Sequence, residues 1–455
     1  FYGADKRASH NLPLPGNPRD DERSRALFNE YAQPLWVPQD KLKRAVSRLQ
    51  NHAQPPRVLE RDHPLAVRRP ERALMPNPVF ETQPRIPMHA MDEFFVRLVD
   101  KNPQLRPRVG NPDELASNRL TRILERLKHR VSEPDDELES VTGDIITVLN
   151  EEAVVSACLG NQGGLNLVAS YEAFCVKMLG ALRQRIIFAR MQKEVGRAAG
   201  WISWPVVATS HTWENGKNQQ SHQDTTFCEA LLGEMSDVSR VLFPADYNSF
   251  MALLPTIYGS RGEIACVVAP KQERPQFFDG AQAQQLAAQG AIVVSEQAGS
   301  EPILLVANGS YQLEQMLQAA RYLADQGQPY RLVYMQEPGR YRVARDRWEA
   351  QAMVSPTVRA ELFDGSWSAA VILTHMRPEV FRGHLADLWQ GIPFVRALGY
   401  INRGGTLDDF GMQFANRATS AHVLEALAPV LGADFVPVPR VNGEGAPLVK
   451  KHDPQ

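Results

Sequence analysis

An α/β fold with largely parallel sheets is predicted from three features of the chain. Residues 302–307 (PILLVA), 311–326 and 330–334 (YRLVY) read as strand, helix and strand, with a helix long enough to cross a parallel sheet. Residues 204–209, 239–243 and 264–268 are short apolar runs that read as strands of one sheet. Ahead of them, Phe174, Met178, Leu182 and Ile186 recur at helical spacing.

Residues 1–90 are punctuated by prolines and arginines, as in QPPR at 54–57 and RRPER at 68–72, which interrupt helices and strands alike. This stretch is expected to be an extended connector with one helical patch at 40–49. Residues 117–131 read as a helix opened by Ser117, and residues 143–149 (GDIITVL) as a short buried strand. A long helix is expected over 171–199, followed by the strand 204–209. The segment 290–301 is expected to be a boundary, and 369–374 a further strand beyond it. The predicted division is therefore a connector over 1–90, one unit over 91–290 and a second over 298–455.

Composition narrows the function classes. A chain of 455 residues, 43% of them hydrophobic, can bury two or three ordinary cores. Lys+Arg of 50 against Asp+Glu of 52 gives no basic footprint for nucleic acid and no polybasic membrane anchor, so any phosphate binding must be local. Cys158, Cys175, Cys228 and Cys266 form no C-x-x-C pair and are expected to be reduced core thiols. No apolar run approaches the roughly 18 to 20 residues of a membrane span. The opening FYGADK does not resemble a signal peptide, and a cytoplasmic protein is expected.

The most chemically loaded stretch is residues 210–224, SHTWENGKNQQSHQD. Two histidines, a lysine and several amides in one loop are costly to bury unpaired, at about 1 to 3 kcal/mol each, so the loop is expected to line a ligand site. A solvated surface loop is the plainer alternative. This stretch resembles the H-x-W…H-N-G-F-S-H-Q-D signature of phosphoketolases, which use thiamine diphosphate. Further segments are similar to that family in the same order. They are SHNLPL at 9–14, PDELASNRL at 112–120, ASYEAF at 169–174 and APKQ at 269–272, and less closely the stretch 399–412.

The resemblance implies a pyrimidine-binding domain followed by a transketolase-like C-terminal domain. It implies phosphorolytic cleavage of xylulose 5-phosphate, or fructose 6-phosphate, to acetyl phosphate and an aldose phosphate. Transketolase-like transfer, and a noncatalytic assembly or regulatory subunit, are the alternatives. Glu151, in LNEE, is similar in position to the family glutamate beside N1′ of the aminopyrimidine, and Glu152 is its rival. Taken alone, a Glu-Glu pair at this junction is an ordinary helix-start dipole partner. Phe174 would stack on the aminopyrimidine, although two aromatics three apart on an apolar helix are as a rule core. Tyr171, Ser117, Arg119, Asn218 and Lys271 would face phosphate or sugar. Ser-x-Arg by itself is an N-cap followed by a surface arginine.

His222 matches the second histidine of the loop and would move protons at the substrate, a task that suits imidazole. His10 would approach the same cofactor. Lys217 stands where the family carries a histidine; unless burial lowers its pKa, it serves as a phosphate-facing charge rather than a base. No G-D-G occurs, so the Mg²⁺ ligands and the diphosphate-binding domain are expected on a segment or partner outside this sequence. A homodimer or larger oligomer with the site at an interface is expected.

Overall fold

The computed structural model describes residues 14–52, 72–112, 115–197, 199–214 and 218–432. Eight strands form the first sheet: β1 (Pro107–Asn111), β2 (His129–Arg130), β3 (Glu139–Ser140), β4 (Ile145–Thr147), β5 (Leu165–Tyr171), β6 (Trp204–Thr209), β7 (Ser239–Leu242) and β8 (Ile264–Val268). Their order is β3-β2-β4-β1-β5-β6-β8-β7, and the paired strands run parallel. The central strands β5, β6 and β8 are buried almost end to end, as a parallel sheet covered on both faces requires.

The second sheet contains β9 (Ala291–Gln297), β10 (Ile303–Asn308), β11 (Tyr330–Met335), β12 (Ala369–Thr374) and β13 (Val395–Leu398), in the order β13-β12-β10-β11-β9. All its pairs are parallel except β9 with β11. Alternation along β10 divides the core. Ile303, Leu305 and Ala307 pack with Leu313, Met316 and Ala320 of the helix Ser310–Asp325, while Leu304 and Val306 join the hydrophobic cluster that continues into the first sheet.

Several expectations need correction. Residues 117–131 do not form one helix: the helix runs Thr121–Leu127, and Ser117 is not its cap. Arg119 takes a left-handed φ of 65°, which breaks any continuous helix there. The first turn is satisfied instead from a neighbouring helix, Met88–Lys101, whose Asp92 carboxylate accepts from the Arg122 and Ile123 N–H groups at 3.0 and 2.9 Å.

The helix expected over 171–199 is broken into three pieces, Glu172–Cys175, a 3₁₀ turn at Val176–Met178 and Leu179–Glu194, and Tyr171 instead ends β5. Met178, Leu182 and Ile186 are buried as their spacing predicts. The strand within 143–149 is only Ile145–Thr147, with Val148 and Leu149 exposed. The expected boundary at 290–301 contains β9, drawn into the second sheet by pairing with β11.

In the proline-rich stretch, the helix Gln39–His52 covers the expected patch, and a further helix, Glu22–Ala32, opens on Asp21, whose carboxylate accepts from the Ser24 N–H. The four cysteines are buried free thiols. No helix among the described residues is long and apolar enough to cross a membrane.

Candidate active site

Six of the candidate residues converge on the carboxyl edge of the first sheet, where open parallel sheets present their loops. β5 ends at Tyr171 and pairs with Thr209, the last residue of β6, so the loop opening at Ser210 starts beside Tyr171. β8 ends two residues before Pro270, and the Ala269 N–H donates to the Ala208 carbonyl at 3.1 Å, which brings Lys271 to the same edge. β4 leads to Asn150, whose side chain accepts from the Ala153 N–H and starts the helix Glu151–Gly160.

Six of the predicted residues form one connected group. The Tyr171 and Phe174 rings are nearly parallel with centroids 6.0 Å apart, and the His222 ring meets Phe174 edge-on at 4.8 Å. Lys271 Nζ lies 4.9 Å from the centre of the Tyr171 ring. Ser117 Oγ is 3.4 Å from Tyr171 Oη. Glu151 is buried, joined to this group through Lys177, whereas Glu152 is exposed. His222 Nδ1 lies 2.9 Å from Ser221 Oγ.

Two predicted residues stand apart. Arg119 is exposed, and its charge acts on His89, whose pKa is lowered by burial first and then by Arg85, Arg119 and Arg122. Asn218 is exposed at the loop tip, where its carbonyl lies 3.5 Å from Ser221 Oγ. His10 and Lys217 lie outside the described residues.

The loop is held from both sheets. Tyr400 Oη donates to the Gln223 carbonyl at 2.9 Å, Gln220 donates to the Asn402 carbonyl at 3.1 Å, and Gln223 donates to the Gly405 carbonyl at 3.2 Å. Asp224 pairs with Arg377 at 2.9 Å. At the loop's start, Glu214 accepts from the Lys271 and Gln272 N–H groups at 2.9 and 3.1 Å. Tyr311 Oη lies within 3.2 Å of both Glu214 and Asp409. Burial raises the Glu214 pKa, while burial and the Glu214 charge push Asp409 up to about 6.

Sequence reasoning missed the residues that support this edge. Glu172 is fully buried, with Oε1 2.8 Å from His375 Nε2 and Oε2 accepting from the Thr212 N–H at 2.9 Å. Burial alone would raise its pKa, but His375, His211 and the Thr212 N–H bring it below the ordinary value. His211 is pushed down to about 3 by burial and by His375, and its buried Nδ1 has no partner among the described residues. Among the described residues, both amide atoms of buried Asn118, beside Ser117, also lack partners, as in a polar pocket that water or ligand completes. The Glu inside ASYEAF was the available signal for Glu172; nothing in the sequence marked His375 as its partner.

Among the described residues, no group of three or more His, Cys, Asp or Glu side chains could hold a metal ion. The group of Glu151, Phe174, Tyr171, His222 and Lys271 can hold a flat heteroaromatic ring at one end and an anion at the other.

Comparison with known proteins shows what this edge is similar to. Residues 89–260 match the family model of D-xylulose 5-phosphate/D-fructose 6-phosphate phosphoketolase. The chain is 29% identical over 249 residues to the xylulose-5-phosphate phosphoketolase of Lactiplantibacillus pentosus, a match covering 52% of this chain and 32% of that protein. It is 31% identical over 227 residues to a probable phosphoketolase of Schizosaccharomyces pombe, covering 48% and 27% respectively. The match thus spans about a third or less of each relative.

Transketolase from Leishmania mexicana has the same fold, with a TM-score of 0.60 and 15% identity over 92% of this chain and 53% of that one. A split-gene transketolase, described as an inactive beta4 tetramer, matches with a TM-score of 0.53 and 16% identity over 76% of this chain and 99% of its own. Across residues 89–260, where the matched region carries Tyr171, Phe174 and His222 on one sheet edge, the chain is similar to the phosphoketolase family.

Proposed function

We propose that this chain forms the pyrimidine-binding and sugar-phosphate-facing side of a phosphoketolase active site, cleaving xylulose 5-phosphate or fructose 6-phosphate with inorganic phosphate. The observation that carries the reading is the joining of Glu151, Phe174, Tyr171 and His222, all within the family-matched region, with Lys271 just beyond it. Thiamine diphosphate is the implied cofactor. The donor set fits its aminopyrimidine half: a buried carboxyl to hold a proton at a ring nitrogen and an aromatic face to stack on. When bound, the cofactor supplies the carbon nucleophile.

The chain's own residues would divide the remaining work. Glu151 keeps the ring nitrogen protonated, and Phe174 orients the ring. Tyr171, Ser117 and Lys271 hold the substrate phosphate, with Arg119, Asn218 and Lys217 as further phosphate- or sugar-facing groups. His222 and His10 move protons at the substrate hydroxyls. Mg²⁺ and the diphosphate would be held by a further unit, on this polypeptide or a partner, in a cytoplasmic homodimer or larger oligomer. For this chain we propose a connector over 1–90 and units over 91–290 and 298–455, with the pairing of β9 favouring a start of the last unit at 291.

The test is acetyl phosphate formation, trapped as its hydroxamate, by the purified protein with every co-purifying chain, Mg²⁺, thiamine diphosphate and xylulose 5-phosphate. Phosphate-dependent product is expected. Phosphate-independent transfer to ribose 5-phosphate would favour transketolase chemistry instead. Neither product from the complete assembly would favour a noncatalytic subunit.

A further inference from the structure

Lys177 was not among the residues expected at the site, yet it lies at the site's centre. Its Nζ is 3.4 and 3.3 Å from the two oxygens of Glu151 and 4.9 Å from the centre of the Phe174 ring. Phe174 in the helix Glu172–Cys175 and Lys177 in the following 3₁₀ turn are three residues apart, a spacing that puts their side chains on one face.

An ammonium paired with a buried carboxylate on an aromatic face satisfies the same two groups that a flat, protonated nitrogen heterocycle would satisfy. We propose that Lys177 is a displaceable plug: its ammonium fills the place between Glu151 and the Phe174 face, and a heteroaromatic ligand enters only when the Lys177–Glu151 pair opens. This rests on the reading of Glu151 and Phe174 as the ring-binding pair.

The two partners differ in their freedom to move. The Lys177 side chain is 58% exposed, whereas that of Glu151 is 10% exposed. Lys177 can therefore swing its four-carbon stem into water without leaving a cavity, while Glu151 stays fixed at the helix start beneath Asn150. Ligand entry costs the pair and the cation–π contact, and the carboxylate then faces the ligand alone.

The experiment is calorimetric titration of the purified protein, with all co-purifying chains, by thiamine diphosphate and Mg²⁺. Lys177→Met is expected to bind about tenfold tighter than wild type, and Lys177→Arg within about twofold of it. Because Lys177 lies at the surface, the Met variant should fold, which unchanged thermal unfolding would verify. In parallel, acetylation of Lys177 by acetic anhydride, read by mass spectrometry, is expected to rise when ligand is added.

Unchanged or weaker binding by Lys177→Met, or protection of Lys177 by ligand, would overturn the plug. Phe174→Ala separates the two readings. If it weakens wild-type binding while Lys177→Met fails to tighten it, only the plug is wrong. If it leaves binding unmoved, the ligand sits elsewhere and both readings fail, as they do if no variant binds.

Discussion

His375 Nε2 lies 2.8 Å from Glu172 Oε1, with both side chains buried, and this contact ties the end of β12 in the second sheet to the residue following Tyr171. The same carboxylate accepts from the Thr212 N–H, while the Trp213 indole donates to the His375 carbonyl at 3.1 Å. Removing one partner of such a group leaves the other polar and buried. Glu172→Ala is expected to cost about 3 to 5 kcal/mol of stability. A double-mutant cycle with His375→Ala, followed by urea denaturation, should show the double variant losing clearly less than the sum of the single losses. Additive losses would mean that the pair is not energetically coupled.

His211 gives a pH dependence whose sign follows from its lowered pKa, about 3 against 6.5 for the free side chain. Between those values the unfolded chain takes up a proton that the folded chain refuses. The His211 contribution is therefore complete above about pH 6.5 and is lost as pH falls toward 3. Asp409, raised from 3.8 to about 6, acts oppositely: its contribution is complete at low pH and lost as pH rises through about 6. The informative quantity is thus the stability of wild type minus that of His211→Gln. It should grow with pH by up to about 1.4 kcal/mol per unit between pH 4 and 6, then level off. Urea unfolding at half-unit intervals would measure it, and a pH-independent difference would contradict it.

Glu151 and Glu152 are adjacent in sequence but not equivalent in space, since one is buried against Lys177 and the other faces solvent. In the complete assembly, Glu151→Gln is expected to lower acetyl phosphate formation at least about 10²-fold, and Glu152→Gln by less than about twofold. His222→Ala should lower it by about 10² to 10⁴-fold. Steady-state rates with xylulose 5-phosphate decide the assignment, and the reverse order for the two glutamates would move the ring-nitrogen role to Glu152.

Asp92 satisfies the opening turn of Thr121–Leu127 from a different helix, so its removal should behave as loss of a helix cap. Asp92→Ala is expected to destabilise the protein by about 1 to 2 kcal/mol, visible as a lower denaturation midpoint with unchanged slope. Asp92→Asn should retain part of the loss, because an amide oxygen can still accept one of the two bonds.

Much of the fold was legible because the strands at 204–209, 264–268, 330–334 and 369–374 are short apolar runs with little competing signal. The helices were less so. Apolar residues at helical spacing continue through 171–199, and that pattern cannot register that Tyr171 is already paired in β5 or that the helix tightens at Val176. Ser117 has a good capping residue's chemistry, but the left-handed Arg119 and the reach of Asp92 are tertiary facts. The grouping of candidate residues was legible where they fall in contiguous motifs, as with Tyr171, Phe174 and His222. Lys177 and His375 were not, because their significance depends on local helix geometry and on pairing between distant strands.

The anchoring of residues 220–224 by Arg377, Tyr400, Asn402 and Gly405 gives the second sheet a task despite its contributing none of the expected site residues. It acts as a mould for the histidine-bearing loop. Substitutions around 400–405 should therefore alter how His222 meets Phe174 without touching either ring, and the shape of a loop carried by one sheet becomes an inherited property of the other.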